Sequence, residues 1–196
     1  MKKSKSVTRC AWCPVDDALY VKYHDEEWGL PEYDGGKLFE MLNLEGAQAG
    51  LSWRTVLHKR ENYRKVFQNF DPKKLARWTD ADIAIALQNP GIIRNRLKVR
   101  GVIRNTNALK THFNGDLEKF SEFLWTFVKG KPIRNTIRSM KNVRASTEIS
   151  DAMSKALRKM DFTFVGSTIC DAFMQAVGMV NDHSVDCFIS KSRKKS

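Results

Sequence analysis

Apolar residues recur along most of this chain at helical spacing, and strand signals are nearly absent. Leu38, Phe39, Met41 and Leu42 trace one helical stripe, and Trp53, Val56 and Leu57 continue it after the interruption at 46–50. Asp71-Pro72 has the form of an N-cap with proline at the first helical position, and Thr79-Asp-Ala-Asp82 that of a capping box, so two further helices are predicted to start there. Asn89-Pro90-Gly91 breaks the pattern, and Ile92, Ile93, Leu97, Val99, Val102 and Ile103 then restore a helical run. The prediction is helix, tight turn, helix. Residues 150–160 and 167–180 supply two more long helices, and only Phe162-Thr-Phe-Val165 hints at an extended piece. The chain is predicted all-α, without internal repeats. Residues 9–188 form one unit of two helical lobes, with 1–8 and 189–196 as mobile polar tails.

A length of 196 residues with 42% hydrophobic content suffices for one sizeable core, and no apolar run reaches the roughly 20 residues that span a bilayer. Charge narrows the partner. The 34 Lys and Arg exceed the 22 Asp and Glu, for a net +12, which favours a polyanion, with nucleic acid first. The distribution says more: Ile83 to Gly115 holds no acid but carries Arg94, Arg96, Lys98, Arg100, Arg104 and Lys110. A second acid-free stretch, Phe123 to Thr147, carries Lys129, Lys131, Arg134, Arg138, Lys141 and Arg144. The two read as parts of one phosphate-facing surface. The Pro90-Gly91 turn opens the first stretch, and N–H groups at the start of the helix behind it can accept a phosphate without sequence preference. Residues 16–45, by contrast, hold nine acids against Lys22 and Lys37, and are expected to face away from phosphate.

Cys10, His24, His183 and Cys187 compose a Cys₂His₂ set suited to one closed, structural zinc ion that joins the two ends of the chain. His183 and Cys187 are four apart and on a helix would share a face. Cys10 and Cys13 form a C-x-x-C, and either could complete the set. Disulfide pairing is the other reading of four cysteines, but Cys170 lies in an apolar helical stretch. No apolar run follows Lys2-Lys3-Ser-Lys5, so no signal peptide is read and a reducing cytoplasm is expected.

A third cluster is aromatic. Trp12, Tyr20, Tyr23, Trp28 and Trp53 flank in sequence a carboxylate, Glu45, that sits among apolar, small and glycine residues. A carboxylate beside aromatic faces suits a flat cationic ring.

Tyr23-His24-Asp25-Glu26-Glu27-Trp28-Gly29, the segment Leu44 to Trp53, Gly91-Ile92-Ile93-Arg94, and Phe164-Val165-Gly166 through Asn181-Asp182-His183 to Cys187 together resemble DNA-3-methyladenine glycosylase type I, from Arg9 to Cys187. The resemblance implies a helix-hairpin-helix glycosylase fold with the hairpin near 89–93, a zinc site joining the termini, and excision of 3-methyladenine from alkylated double-stranded DNA by a monomer. It assigns Cys10 to the metal, with Cys13 as the alternative ligand. It further implies that Glu45 and Tyr23 hydrogen-bond the flipped base, that Trp53 stacks on it, and that Tyr20, Trp12 and Trp28 complete the wall. Glu45 is also the candidate catalytic group, through water or the sugar. Leu51 is the candidate wedge, while Gly91, Ile93, Arg94, Arg96 and Lys98 are candidate DNA contacts. Many members of the superfamily carry an Asp shortly after the hairpin or a Schiff-base lysine; nothing acidic follows Gly91 until Asp116, and Lys98 has arginine neighbours, so a monofunctional hydrolase is expected. Two rivals are a zinc-stabilised DNA-binding module without catalysis and a zinc deaminase, whose H-x-E is nearly mimicked by His24-Asp25-Glu26. His58 and His112 read as surface residues.

Overall fold

A computed structural model describes residues 7–139 and 143–192, the last two as backbone alone. Lys141 and the outermost parts of both expected tails lie outside the described residues. Short polar caps set the helix boundaries. Asp17 caps α1 (Ala18–Glu26), Asp34 caps α2 (Gly35–Gln48) and Ser52 caps α3 (Trp53–Leu57), each accepting from a first-turn N–H. Then come α4 (Arg60–Val66), a 3₁₀ turn at Gln68–Phe70, α5 (Pro72–Leu75) behind the Asp71 cap, and α6 (Asp80–Gln88) behind the Thr79–Asp82 box. The long α7 (Arg96–Phe113) is followed by α8 (Leu117–Thr126), α9 (Glu148–Lys159), α10 (Ser167–Ala176) and α11 (Phe188–Ser192). Between them β1 (Ile133–Arg134) pairs in parallel with β2 (Val180–Asn181), Ile133 opposite Val180.

The α2 helix is the hub. Leu38, Phe39, Leu42 and Leu44 are fully buried, and α2 packs on α3, α7, α8 and α10. One buried cluster runs from Cys10 to Ile189. Among the described residues no helix is long and apolar enough to cross a membrane.

Several boundaries differ from the sequence reading. The run expected from Ile92 becomes helical only at Arg96, because Asn95 takes the cap position and accepts from Lys98 N, while Ile92 is buried and the N–H of Ile93 donates to Tyr63 Oη at 3.2 Å. The helix expected to reach Val180 stops at Ala176. Gly178 adopts φ +67° against the Leu30 backbone, a conformation that ends the helix and lets Val180 enter β2. Phe162–Val165 is no strand: Asp161 and Phe164 have positive φ, and buried Asn105 holds Thr163 by both its N–H and its carbonyl. The expected tails are shorter, since residues 188–192 are helical, Ile189 is buried, and Phe188 N donates to the Thr8 carbonyl at 2.8 Å.

Candidate functional site

All six aromatic and acidic residues singled out in the sequence line one cavity of about 240 Å³, which is smaller than a typical drug-sized pocket of ~300–1,000 Å³ and suits a single flat ring. The α1 helix presents Tyr20 and Tyr23 three residues apart, α2 contributes Glu45, and Trp53 opens α3. Tyr23 and Trp53 lie 5.3 Å apart at 45°, Tyr20 meets Tyr23 edge-on at 6.1 Å, and Trp12 meets Trp28 edge-on at 4.6 Å. Gln48, Val143, Ala172, Gln175 and Asp182 complete the lining. Sequence reasoning missed these five, although Gln48 is one helical turn from Glu45 and Asp182 adjoins His183. Asp182 is held by Gln175 Nε2 and Asn135 Nδ2, each at 2.8 Å.

Two buried polar atoms in this wall, Glu45 Oε2 and Trp53 Nε1, have no hydrogen-bond partner among the described residues. A buried acceptor and donor left unmade cost about 1–3 kcal/mol each, so a protein keeps them where something else satisfies them. Burial pushes the Glu45 carboxyl up to about 8, and burial likewise raises Tyr23 well above the ordinary phenol value. The free pocket therefore holds a mostly neutral carboxylic acid at pH 7, poised to ionise beside a cation.

Past Glu45 the chain turns sharply. Gly50 has φ +73°, and Leu51 N donates to the Gln48 carbonyl, which leaves the Leu51 side chain 44% exposed beside the pocket residues Gln48 and Trp53.

The metal set converges. The ligand atoms of Cys10, His24, His183 and Cys187 all lie within 4.8 Å of one another, and all four residues are buried. Cys10 Sγ is 3.4 Å from His183 Nδ1, and Cys187 Sγ is 3.6 Å from that atom and 3.7 Å from His24 Nε2. Tetrahedral zinc with ordinary bond lengths places S and N about 3.5 Å apart, so the donors fit. The outer nitrogens are fixed as well: His24 Nδ1 meets Asp25 Oδ1 at 2.8 Å, Asp25 is gripped by Arg9, and His183 Nε2 meets the Trp28 carbonyl at 3.1 Å. Burial lowers the His24 imidazole and raises the Cys10 thiol to about 11, so a divalent cation is the charge that would hold Cys10 as thiolate. Cys13 is buried but outside the set, its N–H closing a turn onto the Cys10 carbonyl. His183 and Cys187 flank a turn that precedes α11 rather than sharing a helix. Glu26, the acid of the deaminase-like string, lies at the surface 3.9 Å from Lys22.

The candidate DNA contacts separate into two groups. Arg94 and Arg96 are exposed. The N–H of Gly91 donates to Asn89 Oδ1 at 2.8 Å and that of Ile93 to Tyr63, so these two groups are engaged within the protein. Lys98 is half-buried and donates to the carbonyls of Ala47 and Ala49 at 2.8 and 2.6 Å, an internal role that its arginine neighbours concealed. Arg100 and Arg104 likewise pair with Asp80 and Asp161. His58, read as a lone surface residue, meets buried Asp17 at 2.7 Å.

Residues 12–190 match a family model described as methyladenine glycosylase. A DNA-3-methyladenine glycosylase of Haemophilus influenzae is 51% identical over 181 residues, 92% of this chain and 96% of the relative. A solved 3-methyladenine DNA glycosylase I superposes with a TM-score of 0.88 at 52% identity, over 92% of this chain and 98% of the other. The 3-methyladenine DNA glycosylase I of Staphylococcus aureus, solved for the structural basis of its 3-methyladenine recognition, superposes with a TM-score of 0.85 at 33% identity, over 92% and 95% of the two chains.

Proposed function

The chain belongs to the methyladenine glycosylase family, and from that premise we propose that its aromatic cavity receives a 3-methyladenine extruded from double-stranded DNA. The enzyme is a DNA-repair glycosylase: it hydrolyses the N-glycosidic bond of 3-methyladenine in DNA. The observation that carries the pocket assignment is the orphaned pair, Glu45 Oε2 and Trp53 Nε1, among the aromatic side chains that line the cavity.

Methylation at N3 makes the adenine cationic while it is still attached to deoxyribose. The bond is thereby activated, the base leaves as a neutral molecule, and little proton donation is needed. The pocket's task is to recognise and hold this ring. Tyr23 and Glu45 hydrogen-bond its polar edge, Trp53 stacks on its face, and Tyr20, Trp12 and Trp28 close the wall. The incoming positive charge favours the ionised form of Glu45, which thereby gains a partner. As the base leaves, the same carboxylate can steady positive charge on the sugar or orient the attacking water. Extrusion costs a few kcal/mol of unstacking, and Leu51 fills the space left in the duplex.

Residues 89–95 between α6 and α7, with the first residue of α7, act as a helix-hairpin-helix contact in which Arg94 and Arg96 meet the phosphate backbone. The hydrolysis is monofunctional, with water adding to the sugar carbon. Lys98 and Lys59, both near the hairpin, have their amines engaged by backbone carbonyls, Lys98 by Ala47 and Ala49 and Lys59 by Pro90 at 2.9 Å, and neither presents a free nucleophile. Cys10, His24, His183 and Cys187 would hold a zinc ion with four protein ligands, which would supply a structural link between the two ends of the chain and leave no position for substrate. No disulfide joins the four cysteines, which suits a reducing cytoplasm, and the protein acts as a monomer.

Chromatography of bases released from methylated duplex DNA tests this reading. Free 3-methyladenine with an intact strand is expected; a protein that binds the duplex but releases no base would be the non-catalytic DNA-binding module instead.

A further inference from the structure

Lys98 sits on the first turn of α7 after exposed Arg96 and Leu97, yet its amine turns inward to the far end of another helix. The carbonyls it reaches, Ala47 at 2.8 Å and Ala49 at 2.6 Å, lie at the C-terminus of α2, where carbonyls lack helical partners and the helix dipole is negative. A cation there is well placed. The two carbonyls also bracket Gln48 of the cavity wall, follow Glu45 by two and four residues, and precede Gly50 and Leu51, whose N–H closes on the Gln48 carbonyl. One amine thus ties the start of the hairpin's second helix to the turn between the base-binding acid and the wedge.

We propose that Lys98 is a positioning residue that locks the 47–51 turn to the hairpin, so that a hairpin seated on the DNA backbone sets Leu51 against the duplex at the position where Glu45 can receive the base. This rests on the glycosylase reading above. Desolvation draws the amine below the ordinary lysine value, as expected of a group held in a turn rather than offered to phosphate. Loss of the clamp leaves the cavity intact but lets the wedge drift, and misplacement of about 1 Å in a reacting geometry can cost up to 100-fold in rate.

The test uses the full chain as wild type, Lys98→Met and Lys98→Arg, with three readouts: kcat for base release from methylated duplex, affinity for free 3-methyladenine, and the salt dependence of duplex binding. In Lys98→Met, kcat is expected to fall about tenfold or more, with free-base affinity within about twofold of wild type and an unchanged salt slope. Lys98→Arg, which keeps the charge and donors, is expected to recover most of the rate. Unchanged kcat in Lys98→Met would overturn the inference, as would Lys98→Arg being equally impaired. A salt slope reduced by about 0.9 would make Lys98 a phosphate contact instead. Loss of free-base affinity together with a lowered melting temperature would reduce it to a structural support. Failure of the wild type itself to release base would overturn the glycosylase reading, and this inference with it.

Discussion

The indole of Trp28 meets the imidazole of His183 edge to face at 4.7 Å, and the Trp28 carbonyl accepts a hydrogen bond from Nε2 of that imidazole at 3.1 Å. One residue thus belongs to both the cavity wall and the shell around the metal set. Trp12 extends the link, lying 5.1 Å from His24 and 4.6 Å from Trp28. The set that joins the chain ends therefore also supports one side of the aromatic cavity.

Removing the metal should loosen that wall. The purified protein is expected to carry one zinc by elemental analysis, and chelation or Cys187→Ala should lower the melting temperature and weaken free 3-methyladenine binding together. A metal-free protein with unchanged melting and base affinity would contradict the link.

Burial of Glu45 is expected to make the stability of the free enzyme fall as pH rises. Its folded value, about 8, lies above the ordinary carboxylate range, so between roughly pH 4.5 and 8 the folded state binds a proton that the unfolded state has lost. The stability of the neutral, buried acid is complete below the lower value and is lost as pH rises through the upper one. Glu45→Gln lacks this term and should melt higher than wild type by about 5 °C or more at pH 8.5, with the gap closing toward pH 5. A difference independent of pH would exclude ionisation as the cause.

Leu51 carries little folding energy, being 44% exposed, and is the residue proposed above as the wedge. Leu51→Ala should leave the fold within about 0.5 kcal/mol of wild type and cut base release from duplex DNA about tenfold, with free-base affinity unchanged. Equal release from duplex DNA by both proteins would remove Leu51 from the flipping step.

Arg94 and Arg96 are exposed at the connection between α6 and α7, and the proposed function gives them to phosphate. Replacing both with Gln should flatten the log–log salt dependence of duplex binding by about 0.9 for each arginine that neutralises a phosphate, with no change in the order of preferred sequences. An unchanged slope would place the phosphate footprint elsewhere on the basic surface.

Much of the candidate site was legible because the cavity and the Cys/His cluster are built from rare residue types. Tyr20 and Tyr23 at helical spacing, Glu45 in an apolar context and the Cys/His set can be read from a string, as can the Asp71 cap and the Thr79–Asp82 box. What stayed hidden depends on partners distant in sequence. Lys98 looked like one more basic residue until the C-terminus of α2 arrived beside it, and His58 looked unpartnered until Asp17 did. The two-residue pairing of β1 with β2 has no period to detect, and Phe162–Val165 has the composition of a strand but is bent by Asn105, itself hydrogen-bonded to Asn43. The preference for Cys10 over Cys13 rests on which sulfur the fold brings to His183.

The most direct measurement is release of free 3-methyladenine from methylated duplex DNA by the wild type beside Glu45→Gln, with melting and zinc content checked on both. Rapid release by the wild type and a sharp loss in a folded, zinc-loaded Glu45→Gln is the predicted result, at pH 7 and with excess duplex. Equal release by the two proteins would contradict a pocket whose buried carboxylate recognises the base.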